Sequence, residues 1–270
     1  MFKTRLISGI VLVLIALLTI ITGGWVLWGT LLALSLIGVF ELYRAVGLWK
    51  KENRSLTYTG LAGVVFYYLL LGFKADAYTM TGLILVLVVI MAVYVFSYPK
   101  YHAEQIMAAF FGIIYVAVML SYVYQTRNVQ DGAFLVWLIF LCSWGCDTCA
   151  YCVGMLIGKH KMSPKLSPKK SVEGAIGGVA GAAILGAVYA AAMGGHLEGS
   201  GNKVLIYALI CAVGALISMV GDLAASAIKR NHDIKDYGKL IPGHGGVLDR
   251  FDSVIFTAPV IYFLALLFAA

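Results

Sequence analysis

Apolar runs of 16 residues or more recur from one end of the chain to the other, with short polar segments between them. Runs of that length read as helices that cross a bilayer. Nine are predicted: Leu6–Thr22, Trp25–Phe40, Tyr58–Phe73, Thr81–Ser97, Ile106–Tyr124, Ala133–Ile157, Ala175–Met193, Val204–Ile228 and Val254–Ala270. Gly23-Gly24 joins the first two in a tight turn, which makes them a helical hairpin. The first run is longer than the 7–15 apolar residues of a secretory leader, and no small-x-small cleavage site follows it. It is therefore read as a membrane helix. The pattern predicts an all-α polytopic membrane protein of about nine transmembrane helices, forming one integral membrane domain over residues 1–270.

Two polar segments exceed what helix connection requires. One is Gly158 to Gly174, GKHKMSPKLSPKKSVEG; the other is Ser226 to Asp252, SAIKRNHDIKDYGKLIPGHGGVLDRFD. Lipid-surface attraction would account for the lysines of either. It does not account for Asp233, Asp236, Asp249 and Asp252 mixed into the second. That density of charge and glycine predicts a polar active-site cavity.

Composition agrees with the pattern. The chain is 61% hydrophobic and 12% charged, with mean hydropathy +0.92, whereas soluble domains carry about 25% charged residues. The formal charge of +7 would point to nucleic acid in a soluble protein, but here the cations follow the loops. With nine spans, seventeen of the twenty Lys and Arg fall on the side of the N-terminus, and Lys74, Arg127 and Lys203 on the other. This positive-inside asymmetry places the N-terminus and both polar segments in the cytoplasm, with the cavity open to it, and leaves no charge that calls for nucleic acid. An inner, cytoplasmic membrane is the expected location.

Cys142, Cys146, Cys149 and Cys152 lie at helical spacing along one run, and Cys211 stands apart. They are read as small packing residues, because metal sites draw Cys from more than one element. Gly174/Gly178 and Gly177/Gly181 are four apart and predict close helix packing.

Asp147 and Asp222 fall inside predicted spans. A carboxylate in hydrocarbon costs at least ~2.5 kcal/mol on insertion scales, so it faces a polar cavity and a partner. Asp222 lies about 9 Å below the end of its helix at 1.5 Å per residue. The span holding Asp147 would be about 37 Å long against a core of about 30 Å, so it is tilted or overhangs. Pairing with a nearby Lys, simply to hold helices together, is the alternative for each acid. Ser226 lies one turn beyond Asp222, with Lys229 and Arg230 in the turn after it. Pro242-Gly243-His244-Gly245-Gly246 follows as a flexible turn whose amides can approach an anion. Asp249 is read as a metal ligand, and Asp252 as either that or the N-cap of the last helix. Acids beside cations and a Gly-rich turn suit Mg²⁺ on phosphates. There is no Walker-type P-loop, no His/Cys zinc set and no G-x-S-x-G elbow.

Ser226-Ala-Ile-Lys-Arg, Lys235-Asp236 and Pro242-Gly-His-Gly-Gly-Val-Leu-Asp249-Arg250-Phe-Asp252 closely resemble the signature of the phosphatidate cytidylyltransferases, or CDP-diacylglycerol synthases. A looser second feature is Asp147 with Tyr151 and Gly154, then Gly158-Lys159 and Ser167-Pro-Lys-Lys170-Ser-Val-Glu173-Gly174. Ser171 stands where the family pattern leads one to expect Thr, and the Cys-rich run around Asp147 is unusual. The resemblance implies CTP + phosphatidate → CDP-diacylglycerol + pyrophosphate, with one or two Mg²⁺ ions and room for a monovalent ion. It implies metal binding by Asp147, Asp222 and Asp249, and catalysis by Asp222, Asp249, Lys229, Arg230 and Arg250. It implies substrate binding by Ser167, Lys169, Lys170, Ser226, Lys235, His244, Gly245 and Gly246. The signature-bearing region is 142–252; helices 6–124 are assigned to scaffold, where the contacts of a homodimer would fall. A CTP-dependent polyprenol kinase is the nearest chemical alternative. A cation-coupled transporter is remote, because the polar residues gather on one face and no repeat is visible.

Overall fold

A computed structural model describes residues 2–196, 201–243 and 245–269. His244, predicted to help shape the triphosphate pocket, and Ala270, the predicted end of the last span, lie outside the described residues. The described helices are α1 (Phe2–Thr22), α2 (Gly24–Ala45), α3 (Arg54–Gly72), α4 (Thr79–Phe96), α5 (Ala103–Asn128), α6 (Gly132–Ile157), α7 (Val172–Met193), α8 (Lys203–Asn231) and α9 (Leu248–Ala269). Eight of these are long and apolar enough to cross a bilayer, and the described apolar part of α1 is the shorter stretch Ser8–Thr22. The chain is an integral membrane protein. Every predicted span has its helix, although several helices run further into the polar flanks than hydropathy indicates.

Two compact units can be described, residues 1–121 with 232–250, and residues 122–231 with 251–270. In the first, the α1–α2 hairpin turns at Gly23 and Gly24, with φ of 62° and 50°, values open to glycine at little cost. Buried polar bonds link its helices. Trp28 Nε1 donates to the Tyr68 carbonyl at 2.8 Å, Ser35 and Tyr68 share a bond of 2.8 Å, and Tyr43 OH donates to the Ala109 carbonyl at 2.5 Å. Away from water such bonds stay paired, and they fix helix rotation as well as proximity.

The second unit packs α6, α7 and α8 closely through small residues. A Cβ at Gly178 would lie 3.0 Å from Cys146 Sγ, one at Gly181 2.5 Å from Cys149 Sγ, and one at Gly214 2.6 Å from Cys142 Sγ. The cysteines thus fill the grooves that the glycines open, as the spacing predicts. α6 is interrupted by the π-helical turn Leu141–Gly145, which adds a residue to the ladder immediately before Asp147. Such insertions re-aim the side chains that follow them and recur at functional sites.

The polar segment Gly158–Gly174 contains a two-stranded antiparallel hairpin, β1 (Lys161–Ser163) and β2 (Ser167–Ser171). Glu173 closes its base, accepting from the Lys159 amide at 3.1 Å and pairing with His160 Nδ1 at 2.5 Å.

Candidate functional site

In the second unit, charge gathers around α8. Lys170, at the end of β2, forms an ion pair with Asp222 Oδ2, and both side chains are about a quarter exposed, at 24% and 25%. Ser226 Oγ, one turn above, donates to Asp222 Oδ1 at 3.5 Å. Asp252, 8% exposed, lies in electrostatic range of Asp222, Lys229 and Asp147. Asp147, half-buried on α6, accepts from Ser253 Oγ at 3.4 Å. Four carboxylate and ammonium side chains from three helices and the hairpin therefore converge with Lys229, itself buried at 9% exposure. Arg230 is exposed and donates to the Leu166 carbonyl at 3.5 Å, which ties α8 to the hairpin turn. Ser167 and Lys169 lie on β2; Ser167 is half-buried and Lys169 exposed.

Lys170 reaches Asp222 because β2 leads straight into α7. Ser171 is the N-cap, its Oγ accepting from the Gly174 amide at 3.1 Å. The cap fixes where the strand stops, and hence where the preceding lysine points.

Asp252 is the residue that reading the sequence undervalued. It is the fifth residue of α9, not its N-cap, and its Oδ1 accepts the Ser253 amide at 2.8 Å. The helix begins six residues before the predicted span, so Asp252 is buried among other charges. Its three-residue spacing from Asp249 on one helix was the available signal.

In the first unit, the described residues of the loop 235–247 lead into α9. Asp249 is buried, and its Oδ2 accepts from the Tyr237 amide at 2.7 Å and the Gly246 amide at 2.9 Å. Gly243 and Gly245 have φ of 79° and 87°, and the Ile241 amide donates to the Gly245 carbonyl at 2.9 Å. A side chain at Gly245 would also meet Asp249 Oδ2 at 2.9 Å. The loop borders an open cavity of about 640 Å³ lined by Lys235, Asp236, Gly238, Lys239, Ile241, Gly243, Gly245 and Arg250. Three cations against one acid give its lining a net positive charge, which favours an anion. Lys239 was not among the predicted site residues.

Glu41 was missed altogether, because its predicted span stops at Phe40. α2 continues to Ala45 and buries the carboxylate at 4% exposure.

No three acids, His or Cys form a ready metal cage among the described residues. The donor chemistry is nonetheless that of a hard cation: carboxylates near one another, with no His or thiolate among them. Mg²⁺ is commonly held by one or two carboxylates, with substrate phosphates and water completing the octahedron, so a preformed cage is not required.

A family model described as "Cytidylyltransferase family" matches residues 3–268. A protein of Bacillus subtilis (strain 168) named phosphatidate cytidylyltransferase is 30% identical, with 99% of this chain and 98% of that protein covered. One of the same name from Staphylococcus epidermidis is 29% identical over 97% of this chain and 98% of the relative. Another from Synechocystis is 28% identical over 97% and 96%.

Proposed function

Because the chain belongs to the cytidylyltransferase family, we propose that it transfers the CMP unit of CTP to phosphatidate, giving CDP-diacylglycerol and pyrophosphate. Its relatives carry the name of that activity over nearly their whole length. The observation that carries the reading is the Lys170–Asp222 pair, with Asp147, Asp252 and Lys229 around it, set within helices of bilayer length.

The chemistry asks little of a general base. A phosphate oxygen of phosphatidate, already an anion, attacks the α-phosphorus of CTP. The bond from that phosphorus to the oxygen bridging to the β-phosphate breaks, and pyrophosphate leaves with its electrons. The barrier lies in bringing anions together in line and in the charge that grows on the leaving group. Lys170 and Lys229 would hold phosphate oxygens in the second unit. In the first, Arg250, Lys235 and the Gly245-Gly246 turn would do so, with His244 assigned to the same pocket. Ser167, Lys169, Ser226 and Arg230 are read as further substrate contacts.

Asp147 and Asp222 would hold a divalent cation, with Asp252 added to the set that the sequence indicates. Asp249 is assigned the same role beside Arg250. Mg²⁺, when bound, would supply positive charge that offsets the charge of the phosphates. The basic bias of the loops supports a reaction at the cytoplasmic face of the inner membrane, where phosphatidate would enter sideways and its acyl chains would stay in the bilayer.

The test uses purified protein, phosphatidate, Mg²⁺ and CTP labelled separately at the α- and γ-phosphates. The expected lipid product carries the α label, with pyrophosphate released. A lipid carrying the γ label would make the protein a kinase, and no labelled lipid with either substrate would overturn the reading.

A further inference from the structure

Glu41 is a buried carboxylate on a bilayer-length helix, and it binds backbone amides. Its Oε1 accepts from Val247 at 3.2 Å and its Oε2 from Leu248 at 2.9 Å. These amides open α9, and helix-start amides need acceptors. An N-cap Ser, Thr, Asp or Asn usually supplies one from the adjacent sequence. Val247, just before the helix, has no side-chain oxygen, and the acceptor comes instead from α2, 206 residues away. The fit is close on both sides: a Cβ at Gly246 or at Gly238 would collide with the Glu41 carboxylate.

Arg44, three residues further along α2, donates from Nη2 to the Tyr237 carbonyl at 2.5 Å. The Tyr237 amide in turn donates to Asp249, as does that of Gly246. Three consecutive amides, Gly246, Val247 and Leu248, are thus taken by two carboxylates, and both polar backbone atoms of Tyr237 by Asp249 and Arg44. These anchors bracket the segment carrying Lys239, Ile241, Gly243 and Gly245, which line the cationic cavity with Lys235 and Arg250.

We infer that Glu41 and Arg44 are positioning residues for this cavity: α2 pins both ends of the loop and thereby sets how its cations meet the polyphosphate of CTP. The inference rests on the cytidylyltransferase reading for the identity of the anion. A helix cap alone would have a local solution; the remote one ties the loop to the membrane scaffold. It also explains why glycine stands at 238 and 246, where the carboxylate leaves no room for a side chain.

Glu41→Gln keeps the shape and removes the charge. Arg44→Gln alters an exposed residue, and so tests the same loop without disturbing a buried group. Detergent-purified wild type and both variants are compared by amide hydrogen exchange and by steady-state kinetics. In Glu41→Gln, exchange at Val247 and Leu248 is expected to rise at least about tenfold while α3 is unchanged. The KM for CTP should rise about tenfold, and that for phosphatidate less than about twofold. Arg44→Gln should show a smaller rise of the same sign, centred on the loop near Tyr237. Unchanged exchange at 237–248 in both variants would overturn the clamp. Faster exchange with unaltered CTP kinetics, or activity lost only in proportion to folded protein, would overturn the positioning role. Absence of cytidylyl transfer in the wild type would instead refute the functional reading, and the exchange comparison would still decide the clamp.

Discussion

Lys170 and Asp222 form an ion pair that joins the end of β2 to α8. Exposed at about a quarter each, the two charges are accessible to a ligand, and the pair is worth little as a stabilising contact after solvent screening. Its value lies in what a phosphate can do to it. An anion entering beside Lys170 competes with the carboxylate for the ammonium, and Asp222 becomes available to a cation. Under the proposed function, each partner would keep the other in place until substrate arrives.

Lys170→Met and Asp222→Ala are therefore each expected to lower cytidylyl transfer by about 100-fold or more, in the range of losing one preorganised charge at a transferring phosphoryl group. The protein should remain folded and membrane-inserted. Because the two residues act together, the double variant should lose less than the product of the single losses. Initial rates of the purified variants measure this, and wild-type rates in either single variant would rule out a catalytic role for the pair.

Asp252→Asn is expected to leave the fold intact and to raise the Mg²⁺ concentration for half-maximal activity by about tenfold. The residue is buried and lies in electrostatic range of Asp222 and Asp147. Carboxylates within electrostatic range of one another favour a nearby cation, and removing one charge weakens that attraction directly. A Mg²⁺ titration of the variant checks it; an unchanged midpoint would deny Asp252 a part in holding the cation.

The sequence makes the helices legible because hydrocarbon thickness demands long apolar runs, and those runs are unbroken here. Their ends are less legible. Phe40 is the last residue of an apolar run, yet α2 extends through Glu41 to Ala45 because partners elsewhere in the chain satisfy its polar residues. No local pattern reveals that Val247 and Leu248 will be those partners. Asp147 and Asp222 stand out because an acid in an apolar run is costly. Asp252 does not, since the turn before it hides where α9 begins. The hairpin over 161–171 is equally hidden: Lys, Ser and Pro have weak strand propensity, and the segment is closed by Glu173, which belongs to the following helix.

Ser171→Ala should destabilise the protein by about 1 kcal/mol, the usual cost of losing an N-cap acceptor. The hydroxyl accepts from Gly174, and a side chain at Gly158 would come within 2.6 Å of it, so the cap is enclosed. Ser171→Thr retains the oxygen, and is expected to unfold nearer to wild type than the alanine variant does. Equilibrium unfolding in detergent distinguishes them; identical unfolding of the alanine variant and wild type would show that the cap contributes nothing.

The packing of α6 on α7 gives the last prediction. At Gly181 a Cβ would lie 2.5 Å from Cys149 Sγ and 2.6 Å from Cys149 Cβ. Both neighbours belong to a short side chain on a helix, so relief needs a backbone shift. Gly181→Ala is expected to cost about 1–3 kcal/mol by overpacking, even though alanine is the better helix former by about 1 kcal/mol. Cys149→Ala removes the sulfur and leaves the Cβ, so in combination with Gly181→Ala it should recover part of the loss. A bare preference for glycine in the helix would be indifferent to residue 149. The test is the unfolding free energy of the two single variants and the double variant: a coupling between them assigns the cysteine to packing, and strict additivity would deny that the two residues share a contact.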